Sequence, residues 1–372
     1  MRIGIDLLWV RPGKNGGTES YIRNLLDGFS RYADKQYRFI LFTTHDNVKT
    51  FAKYKNSENF EIKVCSSPSS QAKRVAWETL HLNECGEREK LDVWFYPVYS
   101  RPLFPSKKIP NVTVIHDLQG LHYPEYFSRG RNAFFRLMWK RDVQSSTKVM
   151  TISEFCKKDI IDHYHIDNSR VKAIYNAIDA RGNATDLEVL KEKYGIEKQQ
   201  YFYTLSSLAK HKNLITLLKA VKILKNSVPD IKLLISGVKV NAEDEINQFI
   251  KDNDLTTNIV YTGFISNEDR NGLIDNCRKF LFSSVFEGFG MPPIEAMIRG
   301  VPVLMTKCTS LEEVTEDMCE YVEDPMDAKE WSDKMVSETS PLNQGQKEHL
   351  EKKYSLQNIT NQYLEILGGF GK

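Results

Sequence analysis

Short apolar runs rich in β-branched residues alternate with amphipathic stretches along nearly the whole chain of 372 residues. Most of these runs are unbroken rather than alternating, which is typical of parallel strands covered on both faces. Eleven runs have this character: Arg2–Leu8, Arg38–Thr43, Val93–Tyr96, Val112–Ile115, Lys148–Ile152, Val171–Ile174, Tyr201–Leu205, Lys232–Ser236, Ile259–Tyr261, Phe280–Phe282 and Pro302–Met305. Helical spacing recurs between them, as in Ile22, Leu25, Leu26 and Phe29. This alternation predicts an α/β fold with parallel sheets and helices on both faces.

The number of predicted strands indicates more than one domain. Eleven strands exceed what one open sheet usually holds, so we expect two doubly wound domains. The strand Val171–Ile174 is followed by a polar segment that contains a glycine, residues 179–183. We therefore predict a first domain at residues 1–178 and a second at residues 179–354.

Composition excludes several classes of protein. Lys and Arg number 51 and Asp and Glu 49, so the net charge of +2 gives no reason to expect nucleic-acid binding. None of the six cysteines has zinc-ligand spacing, which favours reduced thiols in a cytoplasmic protein. No run reaches 18 apolar residues and the first run lacks the features of a signal peptide, so neither a transmembrane helix nor export is expected.

The segment 280–297 gives the strongest indication of a site. A strand, Phe280–Phe282, leads into a loop that contains Gly288 and Gly290. A helix follows, and Pro292 and Pro293 suit its first turn, where N–H groups have no partner within the helix. The loop therefore presents amides and a helix N-terminus beyond the carboxyl end of a strand, where open α/β sheets bind phosphates.

Two glutamates flank this turn, Glu287 in the loop and Glu295, which we place in the first helical turn. A carboxylate can accept two hydrogen bonds at once, which suits a vicinal diol such as the 2′,3′ pair of a ribose. The alternative is an ordinary helix N-terminus with an acidic first turn. The segment is not the dinucleotide-binding fingerprint, because Pro293 occupies the position of the third glycine.

The order Glu, Gly, Phe, Gly, a short apolar turn, then Glu, Ala and Met resembles the signature of the retaining glycosyltransferases of family 4. The resemblance implies the GT-B fold, in which two Rossmann-like domains face each other across a cleft. It implies that Glu287 contacts hydroxyls of the donor sugar and that Glu295 holds the nucleotide ribose. It also implies that the backbone of Gly288, Phe289, Gly290 and Met291 meets the sugar and the diphosphate.

Other segments match landmarks of that family in order. Gly16 and Gly17 resemble the glycine loop that closes over the diphosphate and helps line the acceptor site; the alternative is an ordinary turn with Thr18 as N-cap. His116 follows a strand and resembles the family histidine that lies against the donor sugar. The alternative is a histidine without a role in a site, because a lone histidine more often has its hydrogen bonds made within the protein or lies exposed. Gly263 and Phe264 resemble the turn that meets the nucleobase.

Residues 206–213 resemble the family's phosphate clamp. Lys212 matches its lysine, but Ser207 occupies the position of its usual arginine. Lys210 or His211 could replace that cation, and the alternative for the whole run is a solvated basic helix start. The C-terminal helix, residues 355–372, resembles the one that packs back on the first domain.

Glycosyl transfer requires positive groups where charge develops on the departing diphosphate. By resemblance we assign His116, Lys212 and Glu287 as catalytic, expect no cofactor, and expect transfer to be retaining through a same-face, internal-return pathway. The string Asp252-Asn253-Asp254 ends an amphipathic helix instead of following a buried strand, so we expect no metal.

The resemblance implies a nucleotide-sugar donor and a glycan or lipid-linked acceptor in polysaccharide synthesis. The turn over residues 289–293, with Ser206-Ser207-Leu208 in the clamp, most resembles family members that use GDP-mannose. Residues 101–160 hold eleven Lys or Arg and five Asp or Glu. Within them, residues 128–141 form either a basic amphipathic helix on the cytoplasmic membrane face or a helix that packs Phe134, Leu137 and Met138 on the sheet. Alternative functions are a nucleotide-sugar epimerase, a phosphorylase, or a catalytically silent subunit that binds a nucleotide sugar or glycan.

Overall fold

A computed structural model describes residues 1–68, 70–99, 101–237 and 243–371. The strands are β1 (Arg2–Asp6), β2 (Arg38–Thr44), β3 (Phe60–Cys65), β4 (Val93–Tyr96), β5 (Asn111–Val114), β6 (Lys148–Thr151), β7 (Val171–Ala173), β8 (Tyr201–Leu205), β9 (Lys232–Ser236), β10 (Ile259–Gly263), β11 (Lys279–Phe282), β12 (Val303–Thr306) and β13 (Glu320–Val322). The helices are α1 (Gly17–Tyr32), α2 (Gln71–Arg88), α3 (Gln119–His122), α4 (Arg129–Ser145), α5 (Glu154–Tyr164), α6 (Leu187–Tyr194), α7 (Leu214–Lys225), α8 (Glu243–Asp252), α9 (Asn267–Asn276), α10 (Met291–Ile298), α11 (Leu311–Thr315), α12 (Ala328–Val336), α13 (Gln344–Lys353) and α14 (Leu356–Gly368).

The chain divides into two compact units. Unit 1 comprises Met1–Ala177 and Tyr354–Lys372, and unit 2 comprises Ile178–Lys353. The sheet of unit 1 has the order β3-β2-β1-β4-β5-β6-β7 and the sheet of unit 2 the order β10-β9-β8-β11-β12-β13. All of these pairings are parallel, so the carboxyl ends of the strands within a sheet share one edge.

Burial of the strands explains why both sheets form. In unit 1, Ile3 and Ile5 of β1 are fully buried, and so is Phe95 of β4. In unit 2, Trp331 of α12 and Leu217 of α7 belong to one core cluster with residues of the sheet. Helices therefore cover apolar strands, and the predicted class, two parallel-sheet α/β units, is confirmed.

Helix α14 belongs to unit 1, although it follows unit 2 in the chain. The hydroxyl of Tyr21 on α1 donates to that of Tyr363 on α14 at 2.8 Å. Gly28 lets the helices come close, because a Cβ at this position would lie only 1.9 Å from the Thr360 hydroxyl. The small residue therefore sets how closely α14 approaches α1.

All eleven predicted runs overlap strands, but β3 and β13 were not predicted. Strand β3 lies at the edge of its sheet and places Glu61 and Lys63 among its apolar residues, so it lacks an unbroken apolar run. Strand β13 has only three residues. Edge position and short length remove the pattern on which strand prediction depends.

The packing face predicted for residues 128–141 is partly wrong. Helix α4 buries Phe135, Met138, Trp139 and Val143, at spacing i, i+3, i+4, i+8. Leu137 is 61 % exposed, and Phe134 is only half-buried. One helical face cannot bury residue 137 together with 135 and 139, because successive residues are 100° apart. In the part of the chain that the structure describes, no helix is both long and apolar enough to span a bilayer.

Candidate functional site

Lys212 lies where β8 gives way to α7, at the carboxyl edge of the unit 2 sheet. A 3₁₀ turn over Lys210–Lys212 leads into Asn213, whose φ is +51°, and α7 begins at the next residue. The Asn213 side chain donates to the Pro325 carbonyl at 2.7 Å. The turn that carries Lys212 is therefore fixed by hydrogen bonds on its C-terminal side.

Lys212 and Glu287, which are 75 residues apart in sequence, come together here. Lys212 Nζ lies 2.5 Å from Glu287 Oε1, and both side chains are largely buried. Their segments are also joined by backbone, since the Val285 amide donates to the His211 carbonyl at 2.8 Å. An ammonium has three donors and a carboxylate two oxygens, so the pair retains capacity for a phosphate oxygen and for sugar hydroxyls.

The loop that carries Glu287 is held by residues that the sequence analysis did not single out. Thr309 Oγ1 accepts from the Glu287 amide at 3.0 Å, and Ser310 Oγ donates to the Glu287 carbonyl at 3.0 Å. Gly290 precedes α10 with φ +93°, and a Cβ there would lie 2.5 Å from a Leu311 methyl. Because these contacts bridge segments distant in sequence, spacing gives no signal for them.

Glu295 lies beyond the first turn of α10, so its predicted position is wrong. The helix begins at Met291, which puts Pro292 and Pro293 in the first turn as predicted and Glu295 in the second. The alternative of an acidic first turn therefore fails as well. Arg270 of α9 lies near, with Nη1 3.6 Å from Glu295 Oε2. Burial raises the pKa of Glu295, and the charges of Arg270 and Arg299 oppose that rise.

Lys210 and His211 are the two residues that the sequence offers as a possible replacement for a cation at position 207. Ser207 follows β8 and is half-buried, while Lys210 is exposed. Burial and the neighbouring charge of Lys212 lower the pKa of His211 to about 4, so its ring is neutral near pH 7. Lys212, by contrast, carries a largely buried ammonium in this segment.

Gly263 is the last residue of β10, at the same edge of the sheet, and Phe264 follows it. Gly263 has φ +69°, and its carbonyl accepts from the Gly237 amide at 3.0 Å. The Phe264 side chain is 82 % exposed. An exposed aromatic ring beside a turn that only glycine adopts readily offers a flat apolar surface to a ligand.

In unit 1, the glycine loop forms the start of α1. Gly16, with φ +54°, is the N-cap residue and Gly17 is the first helical residue. Thr18 is therefore not the N-cap that we predicted; its hydroxyl donates to the Asn15 carbonyl at 2.9 Å. The positive φ of Gly16 explains why glycine stands here, because L-residues rarely adopt it.

His116 follows β5 and has defined partners. Its Nε2 lies 2.9 Å from the Pro97 carbonyl, which requires the proton on Nε2 and leaves Nδ1 as an acceptor. The ring packs edge-on against Tyr21 at 4.8 Å. Burial lowers the pKa of His116 to about 4, against the opposing effect of the Pro97 hydrogen bond. A neutral imidazole can accept a hydrogen bond from a sugar hydroxyl.

The depressed pKa of His116 predicts a pH effect on stability. The folded state binds this proton less readily than the unfolded chain, so stability is lost as pH falls from about 6.5 towards about 4. The free energy of unfolding, measured in urea, should fall between pH 7 and pH 4.5 in both proteins. We expect this fall to be about 1–2 kcal/mol smaller in His116→Gln than in the wild type. Equal losses in the two proteins would contradict the neutral buried imidazole.

His116 also lines a cavity of about 170 Å³ within unit 1. Thr18 next to the glycine loop, Asp117 and Arg131 contribute polar groups to its wall. Phe127, Phe135 and Trp139 contribute aromatic ones. His116 and Thr18, the residue that follows the two glycines, thus line the same cavity.

The string Asp252-Asn253-Asp254 lies at the end of α8, as predicted. Asp252 is the last helical residue, and the Asp254 side chain is almost fully exposed and pairs with Lys225 at 2.9 Å. In the described ranges of the chain, no three His, Cys, Asp or Glu residues are grouped to hold a metal.

Two family profiles match the chain. The profile for Glycosyltransferase Family 4 matches residues 15–181, and the profile for glycosyl transferases group 1 matches residues 186–338.

Curated relatives include the O-antigen chain mannosyltransferase RfbU of Salmonella typhimurium, 28 % identical over 217 residues. The O-antigen chain mannosyltransferase B of Escherichia coli is 30 % identical over 237 residues. The matches cover 58 % and 62 % of this chain and 57 % and 62 % of the relatives. The chain thus matches less than two thirds of the length of either relative.

Among solved structures, Anabaena HepE in complex with UDP and glucose is similar in fold, with a TM-score of 0.76 at 17 % identity. The similarity covers 99 % of this chain and 100 % of that one.

Proposed function

We propose a glycosyl-transfer activity for this chain, which belongs to glycosyltransferase family 4 (glycosyl transferases group 1) and has the GT-B fold. In this proposal a hexose moves from a nucleotide sugar to a glycan or lipid-linked acceptor in polysaccharide synthesis. The reaction is retaining and needs no metal. Unit 2 binds the donor, and unit 1 serves the acceptor.

The observation that supports this most is the Lys212–Glu287 pair at the edge of the unit 2 sheet. Lys212 would donate to the diphosphate while Glu287 accepts from sugar hydroxyls, so one ion pair spans the bond that breaks. The amides at the start of α10 would add positive potential for the departing phosphate. Phe264 offers its exposed ring to the base, and Glu295 offers its carboxylate to the ribose.

Mannose from GDP-mannose is the donor that we propose. The two curated relatives quoted above are named as mannosyltransferases, and each matches well over half of this chain. UDP-hexoses are the second candidate, because the structure of HepE, which shares the fold, was determined with UDP and glucose.

Contact with a membrane surface is part of the proposal for the acceptor. The exposed side of α4 carries Arg129, Arg136, Leu137 and Lys140 at helical spacing. Three cations around one apolar side chain suit an anionic bilayer surface. Sedimentation with vesicles that contain phosphatidylglycerol tests this part; an unchanged soluble fraction would contradict it.

Donor binding is the first test of the function. GDP-mannose, UDP-glucose, GDP and UDP are added to the full chain, and the unfolding temperature is measured with and without EDTA. A ligand at 100 times its Kd adds about 2.7 kcal/mol of stability, so we expect a clear rise with GDP-mannose that EDTA does not change.

The variant Glu295→Gln should weaken donor binding about 10–100-fold, because the amide cannot accept two charge-assisted hydrogen bonds from the ribose. Glu268→Gln, an exposed acid on α9, is the matched control and should bind as the wild type does. No stabilisation by any nucleotide or nucleotide sugar would overturn the proposal.

Product analysis separates the alternative functions. An epimerase would convert a free nucleotide sugar without an acceptor, and a phosphorylase would require inorganic phosphate. A silent binding subunit would be stabilised by the donor yet show neither transfer nor slow donor hydrolysis. Release of nucleoside diphosphate that depends on an added glycan acceptor would support the transferase alone.

A further inference from the structure

Two thiols of unit 1 meet between strand β3 and helix α2. Cys65 is the last residue of β3, and Cys85 lies in the last turn of α2, twenty residues later in the chain. Both pack in one core cluster, in which the Cys65 side chain is buried and the Cys85 side chain is half-buried. The Cys65 thiol donates a hydrogen bond to the Cys85 sulfur. Two sulfurs in contact can form a disulfide when one of them is oxidised.

The packing of α2 on β3 explains why these sulfurs meet. Lys63 lies two residues before Cys65 and therefore on the same face of β3, and its Nζ is 2.8 Å from an oxygen of Glu89. Two residues along a strand span about 6.6 Å, and four residues along a helix span about 6 Å. A step from Lys63 to Cys65 thus matches a step from Glu89 back to Cys85, which places the two thiols opposite each other.

The surroundings distinguish the two sulfurs. Arg88 Nη2 lies 3.6 Å from Cys85 Sγ. The hydrogen bond from Cys65 lowers the pKa of the Cys85 thiol against the effect of burial, and Arg88 lowers it further. The same hydrogen bond and burial raise the pKa of Cys65. The other charged groups that act on the pair are Glu84 on α2 and Asp6 on β1, so Cys85 ionises first and Cys65 keeps its proton.

Cys85 differs from the cysteines elsewhere in the chain. All six cysteines are described by the structure, and all six are free thiols. At the four outside this pair, burial has the largest effect and raises the pKa of the thiol: Cys156, Cys277, Cys308 and Cys319. Cys85 is half-buried, so a small oxidant can reach its sulfur. An accessible thiolate with a second thiol beside it is the usual arrangement of a site of reversible oxidation.

We propose that Cys85 and Cys65 form a reversible oxidation site, at which hydrogen peroxide converts the two thiols into a disulfide between α2 and β3. The Cys85 thiolate attacks one peroxide oxygen, the O–O bond breaks, and Cys85 becomes a sulfenic acid (S–OH). The hydroxide that leaves takes up the proton lost by Cys85. The Cys65 sulfur then attacks the Cys85 sulfur, the S–O bond breaks, and the second hydroxide leaves as water with the Cys65 proton. The two thiols lose two electrons, and the peroxide is reduced to two waters.

The site is independent of the proposed function, because none of its residues belongs to the donor site. The dithiol is the resting form in a reducing compartment, where disulfides do not persist. Thiol–disulfide exchange with a reducing thiol then restores Cys65 and Cys85 after the oxidant is gone.

The test treats the full, reduced chain with hydrogen peroxide near pH 7 and then blocks the remaining thiols with N-ethylmaleimide. Peptide mass spectrometry without reduction should show Cys65 joined to Cys85, and the chain should be lighter by two hydrogen atoms. Non-reducing electrophoresis should show single chains, because the link lies within one molecule. Dithiothreitol should restore both thiols.

Single variants separate the roles of the residues. In Cys65→Ser, the sulfenic acid of Cys85 has no second thiol and should be trapped by dimedone; Cys85→Ser should leave Cys65 reduced. Arg88→Gln should slow oxidation about 3–10-fold, because loss of the positive charge raises the pKa of the Cys85 thiol. Cys319→Ser, which removes a half-buried thiol of unit 2, is the matched control and should not change the rate or the link. The unfolding temperature of each variant verifies that it folds.

Three results would overturn the proposal: both thiols remain free under peroxide that oxidises Cys319, Cys85 is oxidised without a link to Cys65, or the link joins two chains. All three are read from the wild-type chain, so they do not depend on the folding of any variant. None of them bears on stabilisation by a nucleotide sugar, and failure of this site can therefore be told from failure of the transferase assignment.

Discussion

Lys212→Met is expected to lower kcat by about 10²–10³-fold, the usual cost of removing one preorganised donor from developing negative charge. The expected loss lies in kcat more than in KM, because the diphosphate gains charge as its bond to the sugar breaks. Ser207 in the arginine position and a neutral His211 leave Lys212 as the buried cation of the clamp, so the loss should be near the upper end. Release of nucleoside diphosphate during transfer is the measurement.

A second effect of this variant must be separated from the first. Methionine at 212 leaves the carboxylate of Glu287 largely buried without its ammonium, which costs about 1–3 kcal/mol of stability. The double variant Lys212→Met/Glu287→Gln removes that charge. Lys210→Met, on the exposed first residue of the same turn, is the matched control and should keep wild-type kcat. A kcat for Lys212→Met within fivefold of wild type would contradict the prediction that Lys212 stabilises the departing diphosphate.

Asp142→Asn should destabilise unit 1 by about 3–5 kcal/mol, the usual cost of leaving a buried charge without its partner. Asp142 on α4 and Arg101 are both fully buried, with Arg101 Nε 2.7 Å from Asp142 Oδ1. Arg141 also pairs with Asp142, at 2.5 Å. Asparagine has the shape of aspartate but no charge, so the Arg101 guanidinium stays in the interior without its negative partner.

The measured quantity is the unfolding temperature. For a unit of this size, 1 kcal/mol corresponds to about 2–4 °C, so a fall of about 6–20 °C is expected. Glu58→Gln is the matched control in the same unit, because its pair with Lys35 is exposed and contributes about 0–1 kcal/mol. Burial raises the pKa of Asp142. A fall under 2 °C would show that this carboxyl is already protonated.

Much of the fold could be predicted because the information is local. Unbroken apolar runs give the buried parallel strands, and prolines after glycines give the start of α10. A helix over residues 128–141 was predicted from its basic and apolar residues, but its buried face was misplaced around Leu137. Apolar side chains on several sides of a helix do not reveal which side meets the core.

The candidate site was predicted in part. The sequence indicated Glu287, Glu295 and Lys212 because each belongs to a short contiguous motif. It did not indicate Arg270 beside Glu295, Thr309 and Ser310 behind Glu287, or the buried Trp139 beside His116. Each of these depends on a contact between segments far apart in the chain, and no spacing within one segment encodes such a contact.

By itself, the sequence determined the class of fold, the family and the segments that bear the site, because hydrophobic periodicity and short motifs are local properties of a chain. Only the tertiary structure decided which charged groups meet and how far each is buried. It pairs Lys212 with Glu287, and it half-buries His116 and His211, which lowers the pKa of each imidazole to about 4. Ionisation and specificity depend on burial and on distances across the fold, and these exist only once the chain has packed.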